Sequence, residues 1–209
     1  ILRMREVLVK NKEVLERLDG FIQTIDGLDM SMLDIKEQGD KDKVYATSKE
    51  YLQLMLNKAE AKEFRGPPEM MWGVDLCNNH KYGGEWLELA EDVGFNFARE
   101  LGAQQNALFM HYPKDGYIGW HDNRDAPGYT ILFNWSKGGD AFYRYRDWKT
   151  GDINTIEDRP GWTCKTGWYG PGDESTFHCA AANEPRWSIA FYARNETMRD
   201  IIIDHIEND

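Results

Sequence analysis

Cysteine, positive charge and long apolar runs are all scarce in this sequence. The three cysteines, Cys77, Cys164 and Cys179, are odd in number and show no Cys-x-x-Cys spacing. Neither a disulfide framework nor a zinc knuckle is therefore indicated, and we expect a reducing compartment. The sequence has no run of about eighteen apolar residues and no signal-peptide pattern. These absences favour a soluble cytoplasmic protein.

The charge balance is acidic, with 25 lysines and arginines against 36 aspartates and glutamates and a formal net charge of -11. Such a surface repels phosphate groups, so general binding to nucleic acid or to an anionic membrane is disfavoured. The sequence contains no internal repeat and no low-complexity tract. We therefore expect a globular protein whose partners are neither nucleic acid nor membrane.

The composition indicates one folded domain over residues 1–209, because 41% hydrophobic and 13% aromatic residues are enough for one sizeable core. Residues 1–104 have helical periodicity and are predicted to form a supporting layer. Helices are predicted over residues 1–18, with Gly20 as the stop, over 48–64, with Ser48 as N-cap, and over 85–102. The polar stretch 31–46 is predicted to be a loop.

The second half of the chain has a different rhythm. From about residue 105 to residue 200, short apolar and aromatic runs alternate with clusters of Gly, Pro, Asp and Asn. This pattern is typical of an all-β sandwich or barrel and not of an α/β repeat. Within it, the stretch 116–128 ends in a Pro-Gly turn signal and leads into the apolar run 129–135, so His121 is predicted to lie near the end of one strand of a hairpin.

Two histidines in this half are candidate metal ligands. A facial iron site needs two imidazoles and usually one carboxylate on one face of the structure, with the remaining positions open. His121 and His178 could supply the imidazoles. Side chains alternate across a strand, so Gly119, His121 and Asn123 are predicted to face one way, and Trp120 and Asp122 the other. The third ligand position then falls on Asn123.

Residues 108–194 resemble the Fe(II)/2-oxoglutarate-dependent oxygenases, in particular the prolyl-4-hydroxylase-like branch. The resemblance lies in the order of motifs: His121-x-Asn123 where the family has His-x-(Asp or Glu), a β stretch, Gly138-Gly139-Asp140, the Pro171-Gly172 turn, His178, and Arg186 opening the last core strand. The resemblance implies a mostly β fold, a double-stranded β-helix (jelly-roll), backed by N-terminal helices.

The resemblance also implies roles for individual residues. His121 and His178 match the two iron ligands, and Arg186 matches the basic residue that holds the distal carboxylate of 2-oxoglutarate. A guanidinium suits that task because it pairs with a carboxylate through two hydrogen bonds. Tyr112 and Tyr117 fall where the branch places aromatic residues before its first ligand, and one of them is expected to donate its hydroxyl to the cosubstrate.

The chain departs from the family at the carboxylate position, which is Asn123. An amide oxygen is a neutral and weaker ligand. Three arrangements remain open: Asn123 ligates through its oxygen, a bulge turns Asp122 or Asp125 inward, or water fills the position beside two histidines.

As the resemblance implies, the protein would be a hydroxylase that uses Fe(II), 2-oxoglutarate and O2 on a peptide or small-molecule substrate, with a peptidyl proline as the first candidate. The alternative is a non-catalytic jelly-roll binding module with a degenerate metal site. It would use Trp148, Trp162 and Trp168 as a mouth for a carbohydrate or peptide. A third hypothesis is halogenation, with a halide at the vacated carboxylate position. The acidic pair Glu157-Asp158 is interpreted as solvated surface.

Overall fold

The computed structural model describes residues 4–40, 42–63, 66–77, 81–123 and 126–209. The strands are β1 (Arg5–Val7), β2 (Lys36–Gln38), β3 (Met71–Asp75), β4 (Gln105–Tyr112), β5 (Tyr117–His121), β6 (Gly128–Ser136), β7 (Ala141–Arg146), β8 (Ile153–Glu157), β9 (Gly161–Tyr169), β10 (His178–Ala182) and β11 (Arg186–Ala193). The helices are α1 (Lys12–Asp26), α2 (Lys43–Ala46), α3 (Lys49–Glu60), α4 (Gly84–Glu91), α5 (Ala98–Leu101) and α6 (Glu196–Glu207). A π-helical segment, Asp92–Phe97, joins α4 to α5.

The strands form two antiparallel sheets that together make a nearly closed barrel. The order is β1-β9-β6-β11-β4-β3-β5-β10-β7-β8, and β2 pairs with β3. β3 belongs to both sheets, because Val74 and Asp75 pair with β4 whereas Met71 and Trp72 pair with β5. The predicted mostly β architecture is confirmed, and its arrangement fits a jelly-roll.

Helices cover the outer faces of both sheets. Residues of α1, α4, the π-helical segment and α6 pack on the β4, β6, β9 and β11 side in one large apolar cluster that includes Leu18, Trp86, Phe97, Phe191 and Ile203. The α3 helix packs on the β5 and β10 side, where Tyr51 and Met55 meet Trp120. Part of the helical layer thus comes from the C-terminal end of the chain. No helix in the described ranges is both long and apolar enough to span a membrane.

The predicted helix over residues 1–18 is wrong in its position. The structure has β1 at Arg5–Val7, where Val7 pairs with Cys164, and α1 begins only at Lys12. The side chain of Asn11 accepts a hydrogen bond from the backbone N–H of Val14 and caps the helix. Gly20 lies inside α1 and does not end it. The predicted loop 31–46 also contains β2 and α2.

The predicted hairpin between the strand that contains His121 and the apolar run 129–135 is wrong as well. β5 pairs with β10 and β3, whereas β6 pairs with β9 and β11. β5 and β6 thus belong to different sheets, so the turn residues between these two apolar runs mark a change of sheet. His121, at the end of β5, and Asn123 line the cavity inside the barrel.

A bulge in β5 decides which of its side chains enter the barrel. His178 pairs with His121 and Ala180 with Ile118, so Gly119 and Trp120 together oppose Cys179. Ile118 and His121 therefore face inward, whereas Tyr117 and Trp120 pack toward the helices. Gly119 sits at the bulge, and its N–H donates to the carbonyl oxygen of Met70 at 2.8 Å.

We expect Gly119→Ala to destabilise the protein. An added Cβ would lie 3.0 Å from the Met70 carbonyl oxygen and 3.3 Å from that of Ala46. These are backbone atoms that do not easily move, so the expected loss in the free energy of unfolding is about 1–3 kcal/mol. Chemical denaturation measures it.

The matched control is Gly20→Ala. Gly20 lies within α1, and an added Cβ meets nothing within 4 Å. This variant should gain about 0.5–1 kcal/mol, the helix preference of alanine over glycine. Equal stability of the two variants would contradict the close packing of Gly119 against the Met70 and Ala46 carbonyl oxygens.

Candidate metal centre

Two imidazoles meet on neighbouring strands inside the barrel. His121 at the end of β5 is the Cα partner of His178 at the start of β10. Their ring centroids lie 4.2 Å apart, and both side chains are buried. The antiparallel register therefore brings together two histidines that are far apart in the sequence.

Backbone carbonyls determine which nitrogen of each ring is available. Nδ1 of His121 lies 2.8 Å from the carbonyl oxygen of Gly119, and Nδ1 of His178 lies 2.9 Å from that of Thr176. A carbonyl oxygen only accepts, so Nδ1 is the nitrogen that carries hydrogen, and Nε2 keeps its lone pair. Burial lowers the pKa of both imidazoles, and His121 lowers that of His178 further. Both rings are thus neutral and suited to bind a metal through Nε2.

Asn123 lines the same cavity as the two histidines, whereas Asp122 does not. The Asp122 carboxylate accepts hydrogen bonds from Gly66 N at 2.9 Å and from Ser175 Oγ at 2.8 Å on the other side of the strand. The alternative in which Asp122 turns inward is therefore wrong, because both of its carboxylate oxygens accept hydrogen bonds from neighbouring segments outside the cavity. Asp125 lies outside the described residues.

The cavity between the sheets has a volume of about 320 Å³. Its buried end contains Arg186 and Ser188, and its open end contains the exposed residues Gln105 and Ala126. Tyr112 lines the cavity, and the guanidinium carbon of Arg186 lies 5.6 Å from its ring centroid.

Tyr117 does not line this cavity, and the expectation that it contacts a cosubstrate is wrong. Its hydroxyl donates to the backbone oxygen of Asp40 at 2.9 Å, and its ring packs with Tyr51 and Trp120. The bulge at Gly119 reverses the alternation between Tyr117 and His121, which is the physical reason. Gly119 itself is turned toward Ala46, not toward the cavity.

A buried ion cluster closes the inner end of the cavity. Arg186 donates from Nε to Asp158 Oδ2 at 2.7 Å, and Lys165 donates from Nζ to Asp158 Oδ1 at 3.1 Å. Arg186 also donates to Ser188 Oγ at 2.9 Å, and Lys165 to Asn134 Oδ1 at 2.8 Å. Two buried cations share one carboxylate, so this end of the cavity carries excess positive charge.

Asp158 was interpreted from the sequence as solvated surface, and that interpretation is wrong. Its side chain is 1% exposed. Burial alone would raise the pKa of its carboxyl, but the charges of Arg186 and Lys165 outweigh burial and lower the pKa to about 2. The carboxylate is therefore the counter-ion of the predicted cosubstrate arginine.

Two tyrosines that the motif pattern missed pack against His178. The hydroxyls of Tyr143 and Tyr169 lie 2.7 Å apart, and the ring of Tyr169 stacks on His178 with centroids 4.6 Å apart. Burial raises the pKa of both phenols, so they stay neutral. Alternation along β9 would have placed Lys165 and Tyr169 on one face, but nothing in the sequence shows that this face is the inner one.

The predicted tryptophan mouth does not line this cavity. Trp162 packs on the helix-covered face of its sheet, and Trp168 packs against Tyr129 in a tilted arrangement with ring centroids 4.6 Å apart. Both occupy β9 positions whose parity is opposite to that of Lys165, so they point outward. Within the described ranges, Trp148 is likewise not among the lining residues.

The donor set fits a divalent transition metal only partly. Two Nε2 lone pairs and the neutral amide of Asn123 share the cavity. No group of three or more His, Cys, Asp or Glu side chains is suitably placed for a metal in the part of the chain that the structure describes. With the described residues alone, a metal here would bind through two imidazoles without a carboxylate.

No family model and no curated protein matches the sequence. Among solved structures, the chain is similar to a prolyl-4-hydroxylase from Pseudomonas putida, at 15% identity and a TM-score of 0.37, over 83% of this chain and 99% of that one. A prolyl hydroxylase from Trichoplax adhaerens, solved with a hypoxia inducible factor peptide fragment, shows 14% identity and a TM-score of 0.37, over 92% and 96%. A 2OG-Fe(II) oxygenase family oxidoreductase from Burkholderia pseudomallei shows 14% identity and the same TM-score, over 73% and 83%.

We expect Asp158→Asn to destabilise the protein strongly. The substitution leaves the Arg186 guanidinium and the Lys165 ammonium buried without their shared counter-ion. Breaking a buried ion pair in this way costs about 3–5 kcal/mol, which chemical denaturation measures. Glu157→Gln, at the exposed neighbouring position, is the control and should stay within about 0.5 kcal/mol of wild type.

The pH dependence of stability should report the same cluster. The pKa of Asp158 is lowered in the folded protein from the usual 3.8 to about 2. Its contribution is therefore fully present above the unfolded pKa and is lost as pH falls through the folded pKa. The contribution lost between about pH 5 and pH 1 amounts to about 2 kcal/mol. Unfolding curves at several pH values should show this loss in wild type, and a shallower loss in Asp158→Asn. If the free energy of unfolding depended on pH equally in both proteins, the loss could not be assigned to Asp158.

Proposed function

We propose that the protein is an Fe(II)/2-oxoglutarate-dependent oxygenase. The observation that carries the proposal is the close approach of two buried imidazoles, with ring centroids 4.2 Å apart, in a cavity that also contains a buried guanidinium. Each imidazole is held by a carbonyl on its Nδ1, so its metal-binding nitrogen is preoriented. This chemistry requires a site for the metal and a site for the carboxylate of the cosubstrate. Two histidines and an arginine in one cavity could provide both.

His121, His178 and Asn123 would hold the iron. When bound, iron supplies the oxidative chemistry that, with 2-oxoglutarate and O2, introduces oxygen at a substrate C–H bond. The protein's own contribution is to keep both imidazoles neutral and fixed in direction. The apolar cavity residues, among them Ile118, Leu132 and Ala180, limit the access of water to the same space.

Arg186 and Ser188 would bind the distal carboxylate of 2-oxoglutarate. Nε and Nη2 of Arg186 donate to Asp158, and Nη1 donates to Ser188. One hydrogen on each terminal nitrogen remains for a ligand, which permits two parallel bonds to a carboxylate. The excess positive charge shared with Lys165 favours an anion at this end. Tyr112, beside the guanidinium, would contact the same cosubstrate.

A peptide is the substrate class that we propose, with a peptidyl proline as the first candidate. A second cavity of about 550 Å³ lies between β4 and the α4–α5 region, and it shares the lining residues Gln105 and Asn106 with the open end of the first. The amide nitrogen of Asn106 donates to the carbonyls of Leu108 and Ala190. Its oxygen is thereby left as an acceptor for a substrate N–H group.

A non-catalytic binding module is the second candidate. The donor set favours it in one respect, because no carboxylate accompanies the two imidazoles among the described residues. Such a module would bind an anionic ligand at Arg186 without turning it over. Binding of 2-oxoglutarate with no metal-dependent reaction would identify this case.

Succinate release from 2-oxoglutarate, measured aerobically with added Fe(II), tests the proposed function. Wild type should form succinate, and His178→Ala should fall to the background because one imidazole ligand is lost. Asn123→Asp should change the rate, since it restores a charged ligand. His205→Ala, on the exposed face of α6, is the control and should match wild type. Absence of both metal binding and succinate in wild type would reject the oxygenase proposal.

A further inference from the structure

A short hydrogen-bond chain connects the Asn123 side chain, through the Tyr192 hydroxyl, to the backbone at Ala126. Asn123 Nδ2 donates to the hydroxyl of Tyr192 at 3.2 Å, and that hydroxyl donates to the carbonyl oxygen of Ala126 at 3.1 Å. Asn123 and Tyr192 line the cavity together with both histidines. Tyr192 is not part of the motif pattern, and the proposed function gives it no role.

The direction of this chain follows from the chemistry of its members. The carbonyl of Ala126 can only accept, so the single hydroxyl hydrogen of Tyr192 points to it. The hydroxyl oxygen then has only lone pairs for Asn123, and the amide must present its nitrogen. The orientation of the Asn123 amide is thereby determined: Nδ2 faces Tyr192 and Oδ1 faces away from it. Within the described residues, no group donates a hydrogen bond to Oδ1.

The position of the Tyr192 ring is also built into the barrel. Tyr192 lies near the end of β11 and is buried, and its ring passes close to Gly128 at the start of β6. A Cβ at position 128 would lie 2.8 Å from Cδ1 of Tyr192. The glycine therefore leaves the space in which the ring reaches both Asn123 and Ala126.

We infer that Tyr192 is a positioning residue, which holds the Asn123 amide so that its oxygen completes the metal site formed by His121 and His178. The inference rests on the proposed function, because it gives the amide oxygen a metal to bind. A carboxylate at position 123 could only accept a hydrogen bond from Tyr192. The Tyr192 hydroxyl would then have to give up its hydrogen bond to the Ala126 carbonyl. Asn123 and the Tyr192–Ala126 bond are thus matched to each other, which a decayed carboxylate site would not require.

Titration with Co(II), followed by its visible absorption, tests the inference without any enzymatic activity. Tyr192→Phe removes only the hydroxyl, so the amide can rotate, and Co(II) should bind about tenfold more weakly with an altered spectrum. Asn123→Ala should weaken binding at least as much. In the double variant, loss of the hydroxyl should add nothing further, because Tyr192 acts through Asn123.

Tyr129→Phe is the matched control, since Tyr129 lies at the same end of the barrel on β6 but outside the cavity. It should bind Co(II) like wild type. Thermal unfolding of each variant shows whether the fold is retained. Side-chain amide NMR of the metal-free protein should show Asn123 hydrogens protected from exchange in wild type and less protected in Tyr192→Phe.

The outcomes separate this inference from the proposed function. If wild type binds Co(II) but Asn123→Ala or Tyr192→Phe binds it equally well, the positioning role is overturned and the two-histidine site remains. Additive losses in the double variant would also overturn it, because Tyr192 would then act independently of Asn123. If wild type binds no Co(II), both the inference and the proposed metal site are rejected.

Discussion

The barrel interior depends on one shared carboxylate. Asp158, in the connection between β8 and β9, holds Lys165 of β9 and Arg186 of β11 at the inner end of the cavity. Removing three charged groups from water is costly, so such a cluster is a poor source of stability compared with apolar packing. Its consequence is electrostatic. Because two cations share one anion, the closed end of the barrel attracts a negatively charged ligand that the acidic exterior would repel.

The opposite side of the cavity is organised by hydrogen bonds to backbone carbonyls. Gly119 and Thr176 each orient an imidazole, and Ala126 orients the Tyr192 hydroxyl that in turn orients Asn123. Thr176 and Ala126 lie just before β10 and β6, and Gly119 lies at the bulge in β5. At each of these places the regular ladder is interrupted. The two imidazoles are therefore directed by main-chain carbonyls, whereas the Asn123 amide is directed indirectly, through the Tyr192 hydroxyl.

Several features could be predicted from local sequence and several could not. The helical character of residues 49–60 and 84–101 and the strand-rich second half follow from periodicity, which is a property of neighbouring residues. The order of motifs predicted His121, Asn123 and Arg186 as candidate site residues, and the structure places them in one cavity with His178. Tyr117 and Asp158 were misjudged, because a bulge and a burial pattern depend on chain segments that are distant in sequence. Tyr192 was missed because its partners lie far away in the sequence.

The sequence by itself determined the types of groups available and their local alternation: two histidines, an asparagine in place of a carboxylate, and an arginine at the start of the last core strand. Only the tertiary structure decided which alternating face is the inner one, which charged residues are buried, and how the Asn123 amide is turned. The reason is that side-chain direction along a strand has a period of two residues. A single bulge or a change of sheet turns the following side chains to the opposite face. Both features are decided by pairing with distant strands.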